Sequence, residues 1–251
     1  MSKVLIPIPT NGFDPSEAAI PWKLLSERGH DITFATPDGN LAKADPIMVT
    51  GKGLWFLKFS MRADRNSRLA YSKMIESPEF KNPIKYSDIS VEEYSALILP
   101  GGHAKDVRPY LESAILQDVT LRFMEAKKTI AAICHGVLIL ARTIDLKTRK
   151  SIIYDKKITV LPNWMENLAY FLTCAWMGTY YRTYPGLSTQ NEVKAAISDQ
   201  NNISIGPYGL DRDSLEKPSP GFCVVDKNII TARWPGDVHC FSLEILKQLE
   251  S

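Results

Sequence analysis

Three short segments carry residues that can do chemistry together. In Ala131-Ala-Ile-Cys134-His135-Gly136 an apolar stretch reaches a Cys and passes at once into a small residue and the apolar Val137–Leu140. A strand that turns tightly at a nucleophile and continues as a helix is a nucleophile elbow, which lifts the side chain into the cleft at the carboxyl ends of a parallel sheet. Amide groups at the helix start and a neighbouring imidazole both favour a thiolate there. The same pattern also fits a structural Cys at a strand end, since free Cys is among the most buried residue types. In Leu99-Pro-Gly101-Gly102-His103 two glycines let the backbone approach a ligand. Their amides, with that of His135, can form an oxyanion hole, although a plain βα turn looks similar. Glu17 can share or accept a proton beside a thiol, or can simply complement a helix dipole.

The elements that must position these residues follow a βα rhythm. Val4–Ile8 is a short apolar run, the mark of a strand buried on both faces. Asp14 as N-cap and Pro15 at the first helical position start a helix that Gly29 ends. Asp31–Thr36 is the second strand, closed by Pro37-Asp-Gly39. After a less regular stretch over 40–90, Ala96–Leu99 and Thr129–Ile133 are further buried strands. Helices are expected over about 109–127, over 136–142 and through most of 160–200. Residues 201–220 form a loop, Phe222–Val225 and Ile229–Ala232 a hairpin, and a last helix starts near Asp237. Alternating strands and helices imply a parallel sheet with right-handed crossovers.

Composition narrows the classes. Of 251 residues 45% are hydrophobic and 23% charged, enough to build a core and too apolar for a disordered chain. A net charge of +2 gives no reason to expect nucleic acid or an anionic membrane as partner. The basic residues of 40–90, among them Lys52, Arg65 and Lys73, fit a solvated helix face better than an anion site. Gly51-Lys52 lacks the rest of a phosphate-binding loop. No apolar run approaches the ~18 residues of a membrane span, and the first residues are a better strand than a signal peptide. Cys134, Cys174, Cys223 and Cys240 form no C-x-x-C motif. They fit reduced thiols in a cytoplasmic protein.

Taken together, the elbow at Cys134, the Leu-Pro-Gly-Gly102-His103 turn and the early Asp-Pro-Ser-Glu17 helix resemble the PfpI-like superfamily of class I glutamine amidotransferase-like proteins. Ala-Thr-Pro-Asp-Gly39 and Ala-Arg-Trp-Pro235-Gly-Asp237 extend the resemblance over nearly the whole chain. It implies one flavodoxin-like α/β domain over 1–251, doubly wound, with helices on both faces of a mainly parallel sheet. Family-variable insertions are expected at about 40–90 and 160–220, and the active site at the strand carboxyl ends. Dimerisation is implied as well.

By residue, the resemblance makes Cys134 the nucleophile and Glu17 the acid on its sulfur, with the Gly102 and His135 amides as the oxyanion hole. The site pattern is closest to the chaperone and glutathione-independent glyoxalase III branch, where the His after the Cys pairs with a downstream acid. Glu166 is the expected acid, with Asp155 as the fallback. True amidotransferases place a Glu two residues after a distal His; Asp237-Val-His239-Cys-Phe241 lacks it, which disfavours a glutaminase. His239 then fits a packing or capping role, and His30 a solvated connection. His103 is expected to face the cleft. In Tyr180-Tyr-Arg-Thr-Tyr-Pro185, Tyr181 and Arg182 are candidates for substrate binding, with Arg182 on a carboxylate; a dimer contact or a satellite core are the alternatives. No dense ligand cluster points to a metal, and no cofactor is expected.

Three functions compete. The first is a cofactor-independent enzyme on small reactive carbonyls, converting 2-oxoaldehydes to 2-hydroxy acids. The second is Cys-dependent hydrolysis of amides or peptides, which needs the same elbow. The third is a redox-responsive stress protein or chaperone, in which an exposed, acidic Cys is oxidised.

Overall fold

The computed structural model describes residues 1–251. Its central sheet has seven strands: β1 (Lys3–Pro7), β2 (Asp31–Thr36), β3 (Ile84–Lys85), β4 (Ala96–Leu99), β5 (Thr129–Ile133), β6 (Cys223–Asp226) and β7 (Ile229–Ala232). They lie in the order β6-β7-β5-β4-β1-β2-β3. Every neighbouring pair is parallel except the β6–β7 hairpin. The register sets Leu99 beside Ala132 and Ile133 beside Ala232, so β4, β5 and β7 end together.

Strand side chains alternate between two cores, as the pleat requires. Val4, Ile6, Ile98 and Ile133 pack on one face against helices α1 (Pro15–Glu27), α2 (Arg65–Met74) and α7 (Val238–Glu250). Leu5, Leu97, Leu99 and Ile130 pack on the other against α3 (Ala114–Glu125), α4 (Val137–Arg142) and α6 (Thr189–Ala196). Helices thus cover both faces of a doubly wound sheet. Helix α5 (Asn163–Met177) buries little of itself and instead joins a small cluster of Met48, Leu54 and Tyr181 over the strand ends. No helix is long and apolar enough to cross a membrane.

Several expected elements differ in detail. The helix expected over 109–127 is split, because Ser113 accepts from Leu116 N–H and starts α3 afresh after a short turn at Arg108–Leu111. The helical stretch of 160–200 is two helices, α5 and α6, separated at Gly178 by the segment that holds Tyr180–Pro185. His30 is buried rather than solvated, with its Nδ1 3.3 Å from Ser2 N–H. Residues 201–220 are irregular apart from a single turn at Gln200–Asn202, as expected.

Candidate active site

Strand β5 runs extended to Ile133, and Cys134 then turns with φ +56° before a single tight turn leads into α4. A left-handed φ at a non-glycine residue is strained, and such strain collects where a side chain must be aimed. The turn closes tightly against β4: a Cβ on Gly136 would lie 2.1 Å from the carbonyl oxygen of Leu99, so only glycine fits there. Gly102, at φ +149°, is hemmed in the same way by Gly12 O.

Glu17 is held in place by its own helix cap. The Asp14 side chain accepts from Ser16 N–H at 2.7 Å and Glu17 N–H at 3.3 Å, with Pro15 in the first turn. This turns the fully buried Glu17 toward the strand ends, where its Oε2 accepts from Gly101 N–H at 2.6 Å. Asp14 N–H donates in return to Gly101 O. The α1 cap and the Pro-Gly-Gly turn are thereby laced together, beside the elbow. Glu17 Oε1 has no partner and lies close enough to the Cys134 sulfur for each group to bias the other's protonation.

Burial dominates the protonation of this group. It pushes Glu17 well above the carboxylate range, and the negative Asp14 adds to the effect. Burial also pushes the Cys134 thiol up, opposed by the His135 backbone N–H. The His135 imidazole is lowered to about 3 by burial and by the positive charges of His103 and Arg142. The thiol and the imidazole are therefore biased to their uncharged forms at neutral pH, and Glu17 is pushed toward its protonated form. The sequence pattern favours a standing thiolate; burial of the elbow and the neighbouring Glu17 and Asp14 favour the thiol instead.

A hydrogen-bond chain fixes the tautomer of His135. Thr183 Oγ1 donates its one proton to His103 O at 2.8 Å, so toward His135 Nε2, at 3.1 Å, it can only accept. Nε2 of the neutral ring therefore carries the hydrogen, and Nδ1 presents a lone pair to Cys134 Sγ at 3.4 Å. The thiol proton has an acceptor ready as sulfur becomes nucleophilic.

The expected pairing of His135 with Glu166 is not formed. Glu166 is buried in the first turn of α5, where it accepts from Thr189 N–H at 3.0 Å and stands 4.0 Å from Arg182. Its carboxyl thus caps the start of α6, and a Thr hydroxyl takes the place beside the imidazole. Asp155 pairs with Lys156 on the surface and is no alternative.

Cys134, His135 and Glu166 line one cavity of about 480 Å³. His103 and Tyr181 also line it, as anticipated, with their rings stacked at 4.5 Å and Tyr180 set edge-on to His103. The Tyr180 hydroxyl donates to Asp45, which anchors this aromatic cap. Arg182 does not face this cavity. Its guanidinium donates to Asn167 at 2.6 Å, stacks over Tyr170 and lines a separate polar hollow. His239 Nδ1 donates to the Asp213 carboxylate at 2.9 Å, and Asp213 also accepts from the backbone N–H of His239 and Cys240. The side chain that caps the start of α7 is thus Asp213, and the His239 ring, expected to pack or cap, is buried against it.

A family model described as ThiJ/PfpI family-like matches residues 8–196. The chain belongs to this family. It is 24% identical over 187 residues to the deglycase PfpI of Pyrococcus furiosus, covering 68% of this chain and 93% of that one. It is 23% identical over 150 residues to the glutathione-independent glyoxalase hsp3101 of Schizosaccharomyces pombe, covering 59% of this chain and 58% of that protein. The crystal structure of glyoxalase III from Candida albicans superposes with a TM-score of 0.67 at 19% identity, covering 98% of this chain and 97% of that one. The shared fold is the flavodoxin-like α/β sandwich of the family.

Three lining or supporting residues escaped the sequence reading. Thr183 sits between Arg182 and Tyr184, whose types looked more chemical. Arg212 lies in the irregular 201–220 loop, where no periodicity marks it. Trp234 belongs to the recognisable Ala-Arg-Trp-Pro-Gly-Asp segment, and only the structure shows why it is held. The buried Arg233 guanidinium makes two 2.8 Å bonds to Asp237 and one to Pro207 O, fixing the turn that aims Trp234 at the cavity.

Proposed function

We propose that the protein is a cofactor-independent enzyme that converts small reactive carbonyls, 2-oxoaldehydes above all, to 2-hydroxy acids. The observation that carries this reading is the placement of Cys134 at a strained elbow beside Glu17, with the His135 Nδ1 lone pair 3.4 Å from the sulfur. Relatives named deglycase and glyoxalase support a carbonyl-directed chemistry.

In this reading, Cys134 Sγ bonds to the aldehyde carbon while its proton passes to His135 Nδ1 and on to the carbonyl oxygen, giving a hemithioacetal. The carbon-bound proton then leaves to His135 Nδ1, which has passed on the thiol proton and is free to accept it. The electron pair forms an enediolate, and protonation at the neighbouring carbon leaves a 2-hydroxyacyl thioester. Water cleaves it, releasing the acid and the thiol. No external oxidant or reductant is needed, since one carbon is oxidised as its neighbour is reduced. The Gly102 and His135 amides are the candidate donors to the oxygen that gains charge. The physiological form is proposed to be a cytoplasmic homodimer.

The test compares wild type with Cys134→Ser on methylglyoxal and phenylglyoxal without glutathione, following dicarbonyl loss and hydroxy-acid formation together. Thiol-dependent hydroxy acid is the expected result. Undiminished consumption by Cys134→Ser would refute the mechanism. Thiol-dependent cleavage of amides with no action on dicarbonyls would transfer the site to acyl hydrolysis.

A further inference from the structure

Buried polar atoms without partners are rare, and each asks what satisfies it. Six side-chain atoms of this kind occur in the protein, and four belong to residues around the Cys134 cavity: His103 Nε2, Tyr181 Oη, Arg212 Nη1 and Trp234 Nε1. Arg and Trp nitrogens are always donors, and the Tyr hydroxyl has one proton to give. Arg212 is the only Lys or Arg that lines the cavity. Its guanidinium lies over the Trp234 ring at 5.1 Å, and its one hydrogen bond within the chain is a long one, Nη2 to Arg62 O at 3.4 Å. It has no carboxylate within ion-pair distance, unlike the buried Arg233 beside it in the chain's fold.

An unpaired cation in an apolar enclosure is costly unless a ligand completes it. Asp14 faces the same space, but its Oδ1 is committed to two backbone N–H groups of α1. Glu166 is turned to Thr189 and Arg182. Neither lies within ion-pair distance of Arg212, although the Arg212 charge reaches Asp14. Asp211 also lines the cavity but is exposed and makes no ion pair with Arg212; apart from it and Ser60 the rest of the lining is apolar, with Met48, Met61, Leu168, Leu172 and Leu210 among it. At about 480 Å³ the cavity is also far larger than a three-carbon dicarbonyl needs.

We propose that Arg212, with Trp234 Nε1 beside it, is a carboxylate-binding subsite, and that the preferred substrate bears a carboxylate and an apolar body as well as the group that Cys134 attacks. This deepens the carbonyl reading, on which the identity of the attacked group rests; the anion subsite itself does not depend on it. Arg182, the residue the sequence offers for this role, lines the other hollow, and Arg212 takes the role in the Cys134 cavity.

The test uses two alkylating agents of nearly equal size, iodoacetate and iodoacetamide, on the intact protein, with Cys134 modification followed by peptide mapping. Glutathione supplies the ratio of the two rates for an unassisted thiol. The iodoacetate-to-iodoacetamide ratio at Cys134 is expected to exceed that of glutathione by about tenfold, as a charge-assisted contact warrants. Arg212→Gln should return it to the control value, and Arg212→Lys should keep part of it. A ratio at or below the glutathione value, or one unmoved in a folded Arg212→Gln, overturns the subsite. Calorimetric titration with phenylacetate and phenylacetamide gives a second reading that needs no reactive thiol: only the acid should bind, and only while Arg212 is present. Equal binding of acid and amide overturns the proposal. A selective ratio in a protein that converts no dicarbonyl would keep the subsite and remove the carbonyl reading, whereas turnover without selectivity would do the reverse.

Discussion

Replacing Thr183 with Val keeps the shape of the side chain and removes the hydroxyl that orders His135. Two buried groups lose their partner: His135 Nε2–H, 3.1 Å away, and His103 O, 2.8 Å away. Each unsatisfied group costs about 1–3 kcal/mol, so a clear loss of stability is expected in urea titration. The chemical consequence is separate. The Nε2–H tautomer owes its dominance to that acceptor, and a lost bond worth about 1.4 kcal/mol shifts the tautomer ratio about tenfold toward a ring whose Nδ1 carries the hydrogen. Such a ring cannot take the thiol proton. Alkylation of Cys134 by iodoacetamide and kcat/KM on a dicarbonyl should therefore both fall with the fraction of rings that keep the hydrogen on Nε2, by about twofold where a ratio of about ten to one becomes about one to one, with KM changing less than kcat. Nitrogen-15 chemical shifts of His135 should report the changed tautomer directly, and Thr183→Ser should restore both rate and spectrum. A folded Thr183→Val protein with Nδ1 still unprotonated and an unchanged alkylation rate would refute the reasoning.

Three other outcomes follow from the geometry. Gly136→Ala brings a methyl group 2.1 Å from Leu99 O and should destabilise the fold by about 3 kcal/mol or more in denaturant titration; a variant as stable as wild type would mean the elbow does not pack on β4 as described. Glu17 keeps a proton in the folded state that the unfolded chain releases near its ordinary 4.5, so the folded state binds more protons above that pH and stability falls as pH rises. Glu17→Gln should flatten this slope between pH 5 and pH 8 in urea titration, and an unchanged slope would show that Glu17 is ionised in the native protein. Because burial pushes the Cys134 thiol up, its alkylation rate should keep rising through neutral pH, with no plateau below about 8.5, the range of a free thiol; a plateau near pH 6 would mean a standing thiolate.

What the sequence made legible was local. The elbow, the Gly-Gly turn and the capped α1 are each encoded within a few residues, so the βα rhythm implied a parallel sheet, and the family resemblance these motifs carry implied that Cys134, His135 and Glu17 share one site. The aim of Glu166 and Arg182 was not local. Both depend on how α5, α6 and the Tyr180–Pro185 segment fold over the strand ends, and there the Glu turned to cap a helix while a Thr hydroxyl filled its place. Arg212 was invisible for a related reason: an irregular loop has no period to show which side chain faces inward, and this one is aimed by Asp213 on the start of α7. The protonation state was also hidden, since it is set by burial, and elbow motifs look the same with or without a lid.

The most direct measurement is to mix the protein with phenylglyoxal, quench in acid within the first turnovers, and map the modified peptides by mass spectrometry. The account predicts a 2-hydroxyacyl thioester on Cys134 that disappears as hydroxy acid accumulates. Hydroxy acid formed at full rate with Cys134 unmodified throughout, or with the adduct on another residue, would contradict it.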